Sequence, residues 1–345
     1  MKNRIYKILS LVILVSMSFS ACTPFEELNK NPDTSSDASA SLLCTQVVLS
    51  ITKFNGVDAK VMVSANALSK YVGYANEGQL DAQYNKIGSS SFDGMLVLSD
   101  IDRMLEYAEG TAAENSYKGI AKFARARVFY ALTMQMGDIP YSQTNQGADA
   151  VYKPTYDSQL DVLVGVLNEL EEASSYFADG YQFTGDPTPY DGDSEKWRRA
   201  TNAFELQVLL SLSEKTDITD LDVVNRFRNI VSEGYLLEES TGFYGLEYSD
   251  LNRHPLSGTN PIFTSKTIIS SLLLDNLKAL NDRRFYYFGE PAGAQIDNGW
   301  TETDPEAYVG VDVEMDYSEM NAGHSNNEYS LLNYRYLQEY ATEPR

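Results

Sequence analysis

The strongest constraint on this chain is the spacing of its apolar residues. "SYKGIAKFARARVFYALTMQMGDIPY" places Ile120, Phe123, Ala124, Val128, Ala131 and Leu132 on one side of a helix that stops at Gly137, with Pro140 just beyond. The same period returns at Leu160, Leu163, Val164, Leu167, Leu170 and Phe177, with Thr155 available as an N-cap. It returns again at Trp197, Ala200, Phe204, Val208 and Leu212, opened by Ser194. "SKTIISSLLLDNLKALNDRRF" gives a further helix carrying Ile268, Ile269, Leu272, Leu273 and Leu280. Upstream, "SASLLCTQVVLSITKF", "AKVMVSANALSKYVGY" and "FDGMLVLSDIDRMLEYAEG" read as helices, the last stopped by Gly110. A helix with one apolar stripe must bury it against another element. Successive helices without an exact repeat predict a mainly α fold of stacked helical hairpins, a tetratricopeptide-like scaffold. From Gly234 to Arg345, Gly, Asn, Asp and Tyr dominate and one strong helix remains. Long irregular loops are expected there, and such loops usually carry binding residues.

The first residues follow a different rule. Lys2, Arg4 and Lys7 precede the apolar run "ILSLVILVSMSF", and the small residues Ser20 and Ala21 come just before Cys22. This pattern is a secretory signal over residues 1–21, too short for a comfortable span of about 20 apolar residues. Small residues followed at once by cysteine are what a lipoprotein peptidase reads, so Cys22 is the expected lipidation site. The alternative is an ordinary signal with Cys22 incidental. Two or three acyl chains give stable anchoring, at about 0.8 kcal/mol per buried methylene. Residues 22–36, with Pro24 and Pro32, read as a tether, and 37–345 as the folded domain.

Charge and cysteine content narrow the function. With 27 basic against 49 acidic residues the chain carries a net charge of −22, which disfavours nucleic acid and anionic membrane surfaces. Cys44 lies in an apolar helical pattern and reads as a small core residue, so no disulfide framework is expected. His254 and His324 stand far apart, and no metalloprotease, nucleophile-elbow, phosphate-loop or Cys-x-x-Cys pattern occurs; no enzyme and no cofactor are expected. "DPTPYDGDSE" gathers Asp186, Asp191, Asp193 and Glu195, hard oxygen ligands of the kind calcium takes. Their spacing is not that of an EF-hand, and Asp193 reads better as a support for the turn and the helix start. Arg125 and Arg127 could bind an anion, but the many acids of the chain make pairing within the scaffold the expected role. The 24 tyrosines exceed what a core usually accommodates, because each buried hydroxyl needs a partner.

"YKGIAKFARARVFYALTMQMGDIPY" resembles the hallmark of SusD/RagB-like outer-membrane lipoproteins, with Tyr117, Gly119, Ala121, Arg125, Ala126 and Tyr130 on the helix, then Gly137-Asp138-Ile139-Pro140-Tyr141. "FEELNKNPD" is similar to the mature start of that family. "YDGDSEKWRRATNAFELQVLLSLS" and "LLLDNLKALNDRRF" resemble motifs of its SusD-like 2 branch, with Arg283 where proline is usual. "YVGVD" and "EYSLLNYRYL" follow in the expected order, so the resemblance covers essentially the whole chain. Members of the family run on well beyond this point, so the chain is expected to be incomplete at its C-terminus.

The resemblance implies a cell-surface, outer-membrane lipoprotein that captures a glycan and passes it to a SusC-like TonB-dependent transporter. Glu26 and Glu27 then read either as a surface-export signal or as a solvated linker. The same architecture could serve a peptide or another nutrient, or only gate the transporter. Aromatic rings stack on the CH faces of sugars, and amides and acids bond their hydroxyls. The candidate ligand residues are therefore Tyr71, Tyr74, Asn76, Gln79, Asp81 and Tyr84 in one stretch, and Asn298, Trp300 and Tyr308 in another. The first stretch is a region that the resemblance implies for the ligand surface. The alternative for Trp300, and the favoured one, is a loop-packing residue, and Trp197, on an apolar helix face, is a core residue.

Overall fold

The computed structural model describes residues 39–53, 64, 66–75, 81–85, 88–237, 244–249, 251 and 266–333. Cys22, the signal and the tether lie outside these residues, as do Asn76, Gln79 and His254. The fold is mainly α. Helix α1 (Ala40–Thr52) opens at Ser39, whose hydroxyl accepts the Leu42 N–H. A 3-10 turn, Asp93–Val97, leads into α2 (Leu98–Ala108), and Gly110 follows it with φ +72°. Then come α3 (Glu114–Met136), which ends at Gly137 with φ +79°, α4 (Gln159–Ala178), α5 (Ser194–Ser211) and α6 (Val223–Glu233). Each packs on the one before it, and α1 also reaches α3.

Two helix starts differ from the sequence reading. Helix α4 is capped by Ser158, which accepts the Asp161 N–H, whereas the Thr155 N–H is bonded to Gln143 Oε1 at 3.0 Å. Chain pairing between Ile139 and Asp157 holds the segment extended until Ser158. Helix α5 is capped by Asp193, which accepts from the N–H groups of Glu195 and Lys196. Ser194 is buried instead and donates to the Tyr181 carbonyl at 2.9 Å.

The helical core is centred on Trp197, which is fully buried. Phe123, Tyr190 and Tyr244 meet it edge-on and Phe177 stacks on it at 6.1 Å. Its indole N–H donates to Asp186 Oδ2 at 2.7 Å, the partner that a buried tryptophan needs. Gly119 admits Phe177, since a Cβ there would stand 2.7 Å from that ring. Cys44 is free and buried, and burial pushes its thiol far up from its ordinary value. Ala131 is exposed, while the other five apolar residues of its stripe are buried.

The C-terminal third is built differently. Strand β1 (Val72–Tyr74) pairs antiparallel with β2 (Thr267–Ile269), with Val72 opposite Ile269. Ile268 and Ile269 therefore lie in a strand and not in the expected helix. The β-branched run Thr-Ile-Ile favours extended backbone, and Ser270 then caps α7 (Ser271–Ala279) by accepting the Leu273 N–H. Short helices α8 (Phe285–Phe288) and α9 (Gly293–Asp297) follow, and α10 (Tyr317–Ser325) adds a helix that the loop-like composition hid. Val72, Tyr74 and Ile269 cover one side of the sheet with Leu274, Leu277, Phe285 and Tyr308. Ile268 packs on the other side with Val311, Val313 and Met320.

Candidate functional site

The sheet brings together segments distant in sequence. The Tyr71 carbonyl accepts the Ser270 N–H at 3.0 Å, the Leu332 N–H donates to Thr267 at 2.8 Å, and the Asn333 N–H donates to Phe288 at 2.8 Å. These bonds fix the backbone on both sides of a cleft of 330 Å³. Val72, Ile269, Leu273 and Leu332 give it apolar walls, and Asn66 and Thr267 supply its polar atoms. Two aromatic rings also line it: Tyr71, 47% exposed, and Phe288, 39% exposed. Among the described residues, no charged side chain lines this cleft.

A second aromatic element is braced by the same short helix α8. Its Tyr286 hydroxyl donates to the Thr303 carbonyl at 3.0 Å and so holds the loop after α9. Asn298 caps α9, Gly299 turns the chain at φ +96°, and the Trp300 N–H returns to the Gln295 carbonyl at 3.1 Å. This leaves the Trp300 ring 42% exposed and Asn298 exposed. Asp304 closes the loop by accepting from the Thr301 N–H and hydroxyl, and these bonds hold its carboxyl below the usual range.

Two candidate ligand rings are corrected by burial. Tyr74 is 1% exposed and belongs to the core under the sheet. Tyr308 is 4% exposed, meets Phe285 and Tyr286 edge-on, and donates its hydroxyl to the Glu302 carbonyl at 2.9 Å. It supports the Trp300 loop from beneath and does not face solvent. Tyr84 is half-buried, its hydroxyl accepts from Gln83 Nε2 at 3.2 Å, and burial raises its ionisation point. Asp81 opens the 3-10 turn Asp81–Tyr84; its side chain lies outside the described residues. Among the described residues, Tyr71 alone of the sequence candidates lines the cleft. Asn66, Leu273, Phe288 and Leu332 were missed, and the aromatic run "FYYF" at 285–288 was the available signal for Phe288.

The remaining polar features have structural partners. Asp186 accepts from the N–H groups of Thr188 and Gly192 as well as from Trp197, so its oxygens organise the turn. No group of three or more His, Cys, Asp or Glu among the described residues is placed to hold a metal. Arg125 pairs with Glu169 Oε1 at 2.9 Å, and Tyr141 donates to the same oxygen at 3.2 Å. Arg127 differs from the expectation: its guanidinium lies over the rings of Phe204 and Tyr244, at 4.9 and 5.2 Å. It borders a larger groove, of 740 Å³, between α1, the turn Asp93–Val97 and α3. Asp93 and Asp100 stand with Lys53 and Arg127 there, and no aromatic ring among the described residues lines it. The smaller cleft is therefore the better surface for stacking.

No helix among the described residues is long and apolar enough to cross a membrane. No curated protein matches the chain. Among solved structures, a SusD homologue from Bacteroides fragilis is 33% identical with a TM-score of 0.80, over 87% of this chain and 63% of its own. A candidate nutrient-binding outer-membrane protein from Bacteroides vulgatus is 30% identical with a TM-score of 0.74, over 87% of this chain and 64% of its own. A second B. fragilis SusD homologue is 28% identical with a TM-score of 0.72, over 89% and 64%. The chain thus spans less than two thirds of the length of these structures. The family model described as starch-binding and associating with the outer membrane matches residues 32–341. On that match and on the shared architecture, the chain belongs to the SusD-like family.

Proposed function

We propose that this protein captures a glycan and is a binding protein, not an enzyme. The observation that carries the reading is the pair of exposed rings, Tyr71 and Phe288, held by backbone bonds at a cleft with apolar walls, with Trp300 exposed on a loop braced by the same short helix. Exposed aromatic faces on a rigid frame suit the CH faces of sugars, and a site fixed before binding loses less entropy on complex formation. Family membership supports the wider reading: Cys22 carries lipid, the chain is held at the outer membrane facing outward, and a SusC-like TonB-dependent transporter receives the captured glycan. Residues 1–21 are then a signal, 22–36 a tether and 37–345 the binding domain. Asn298, and with it Asn76, Gln79, Asp81 and Tyr84, remain proposed polar contacts around these rings.

The test is retention on a panel of immobilised polysaccharides, with the Tyr71→Ala and Trp300→Ala variants alongside. Selective retention of one polysaccharide, weakened in a variant that keeps its circular dichroism, is the expected result. Retention of peptides with no retention of any glycan would overturn glycan capture.

A further inference from the structure

Resting on the glycan-binding reading, we propose that the Tyr71–Phe288 cleft selects glycans bearing an uncharged acyl group, and specifically an N-acetylhexosamine unit. The argument starts from what the walls offer. Leu273, Leu332 and Ile269 present hydrocarbon, and no charged side chain among the described residues lines the cleft. A free sugar ammonium or a uronate carboxylate placed there would lose water and gain no counter-charge. Plain hexose hydroxyls turned toward these walls would lack partners as well. An acetamido group meets the walls differently, because its methyl is apolar and its amide is neutral. Asn66 is exposed at the cleft and its side chain carries both a donor and an acceptor, the complement of an amide. The volume of 330 Å³ lies at the lower end of the roughly 300–1,000 Å³ usual for small-molecule sites. It admits one sugar ring with its substituent, and the Tyr71 or Phe288 face can stack on the ring.

The experiment uses the full-length chain in detergent and three oligosaccharides of equal length and the same β-1,4 linkage, built from N-acetylglucosamine, glucosamine and glucose. Calorimetric titration should show the acetylated oligomer binding at least about tenfold tighter than the other two, about 1.4 kcal/mol. Asn66→Ala, an exposed change that leaves the fold intact, should reduce that preference several-fold. Leu273→Asn, checked for folding by circular dichroism, should reduce it too. Equal affinity for the acetylated and glucose oligomers, or a preference unchanged in both variants, would overturn the selectivity and leave glycan capture standing. Absence of binding to these three and to every polysaccharide of the panel would overturn both.

Discussion

Replacing Glu205 with glutamine should stabilise the protein by an amount that grows with pH. Glu205 lies on α5, is 1% exposed, and its Oε1 has no hydrogen-bond partner among the described residues. Burial, and then the charge of Glu171, push its carboxyl up to about 8; Arg226 opposes this and Glu233 adds to it. Arg226 is already engaged by Glu171 at 2.8 Å and by Asn168 at 2.6 Å. The sign follows from linkage. The folded protein keeps a proton that the unfolded chain releases near its ordinary value of 4.5. Folding is therefore unpenalised below pH 4.5 and loses about 1.4 kcal/mol per pH unit from there up to about 8. At pH 7 the accumulated cost is on the order of 3 kcal/mol, and glutamine, which does not ionise, avoids it. Urea unfolding at pH 4.5, 6 and 7.5 should show the variant near wild type at the lowest pH and ahead by on the order of 4 kcal/mol at the highest. A difference that stays constant with pH, or that shrinks as pH rises, would refute the reasoning.

Trp197→Ala should cost about 3–5 kcal/mol in chemical denaturation, since it empties the centre of the aromatic core and removes the donor from Asp186. Arg125→Met should cost about 2–3 kcal/mol, because the Glu169 side chain is only 8% exposed and loses its cation; adding Glu169→Leu should recover part of that loss in a double-mutant cycle. Gly165→Ala should cost about 1–3 kcal/mol, as its Cβ would stand 2.4 Å from the Tyr141 ring; a melting temperature equal to wild type would contradict that packing.

The helical half was legible because each helix reports its buried face through one period, and Trp197, Phe204 and Val208 lie where that period puts them. Caps were harder to place, since Ser158 and Thr155 are both competent and only the pairing of Ile139 with Asp157 decides between them. The C-terminal third was less legible for a related reason. A three-residue strand such as Thr267–Ile269 carries too little pattern to separate from the helix that follows it. Its pairing with Val72–Tyr74 is a long-range contact that no local period encodes. The same contact buries Tyr74 and leaves Tyr71, three residues earlier, exposed. Sequence chemistry singled out both rings but could not tell the buried one from the exposed one. Leu273 and Leu332 enter the cleft only because α7 and the chain after Ser330 meet at β2.

The most direct test of the account is the affinity of Tyr71→Ala and Phe288→Ala for the polysaccharide that the panel identifies, measured beside Tyr152→Ala, which removes an 80% exposed ring from the loop between α3 and α4. The account predicts a loss of at least about tenfold for each cleft variant, about 1.4 kcal/mol, with an unchanged melting temperature and no loss for Tyr152→Ala. Wild-type affinity in both cleft variants, or an equal loss in Tyr152→Ala, would contradict it.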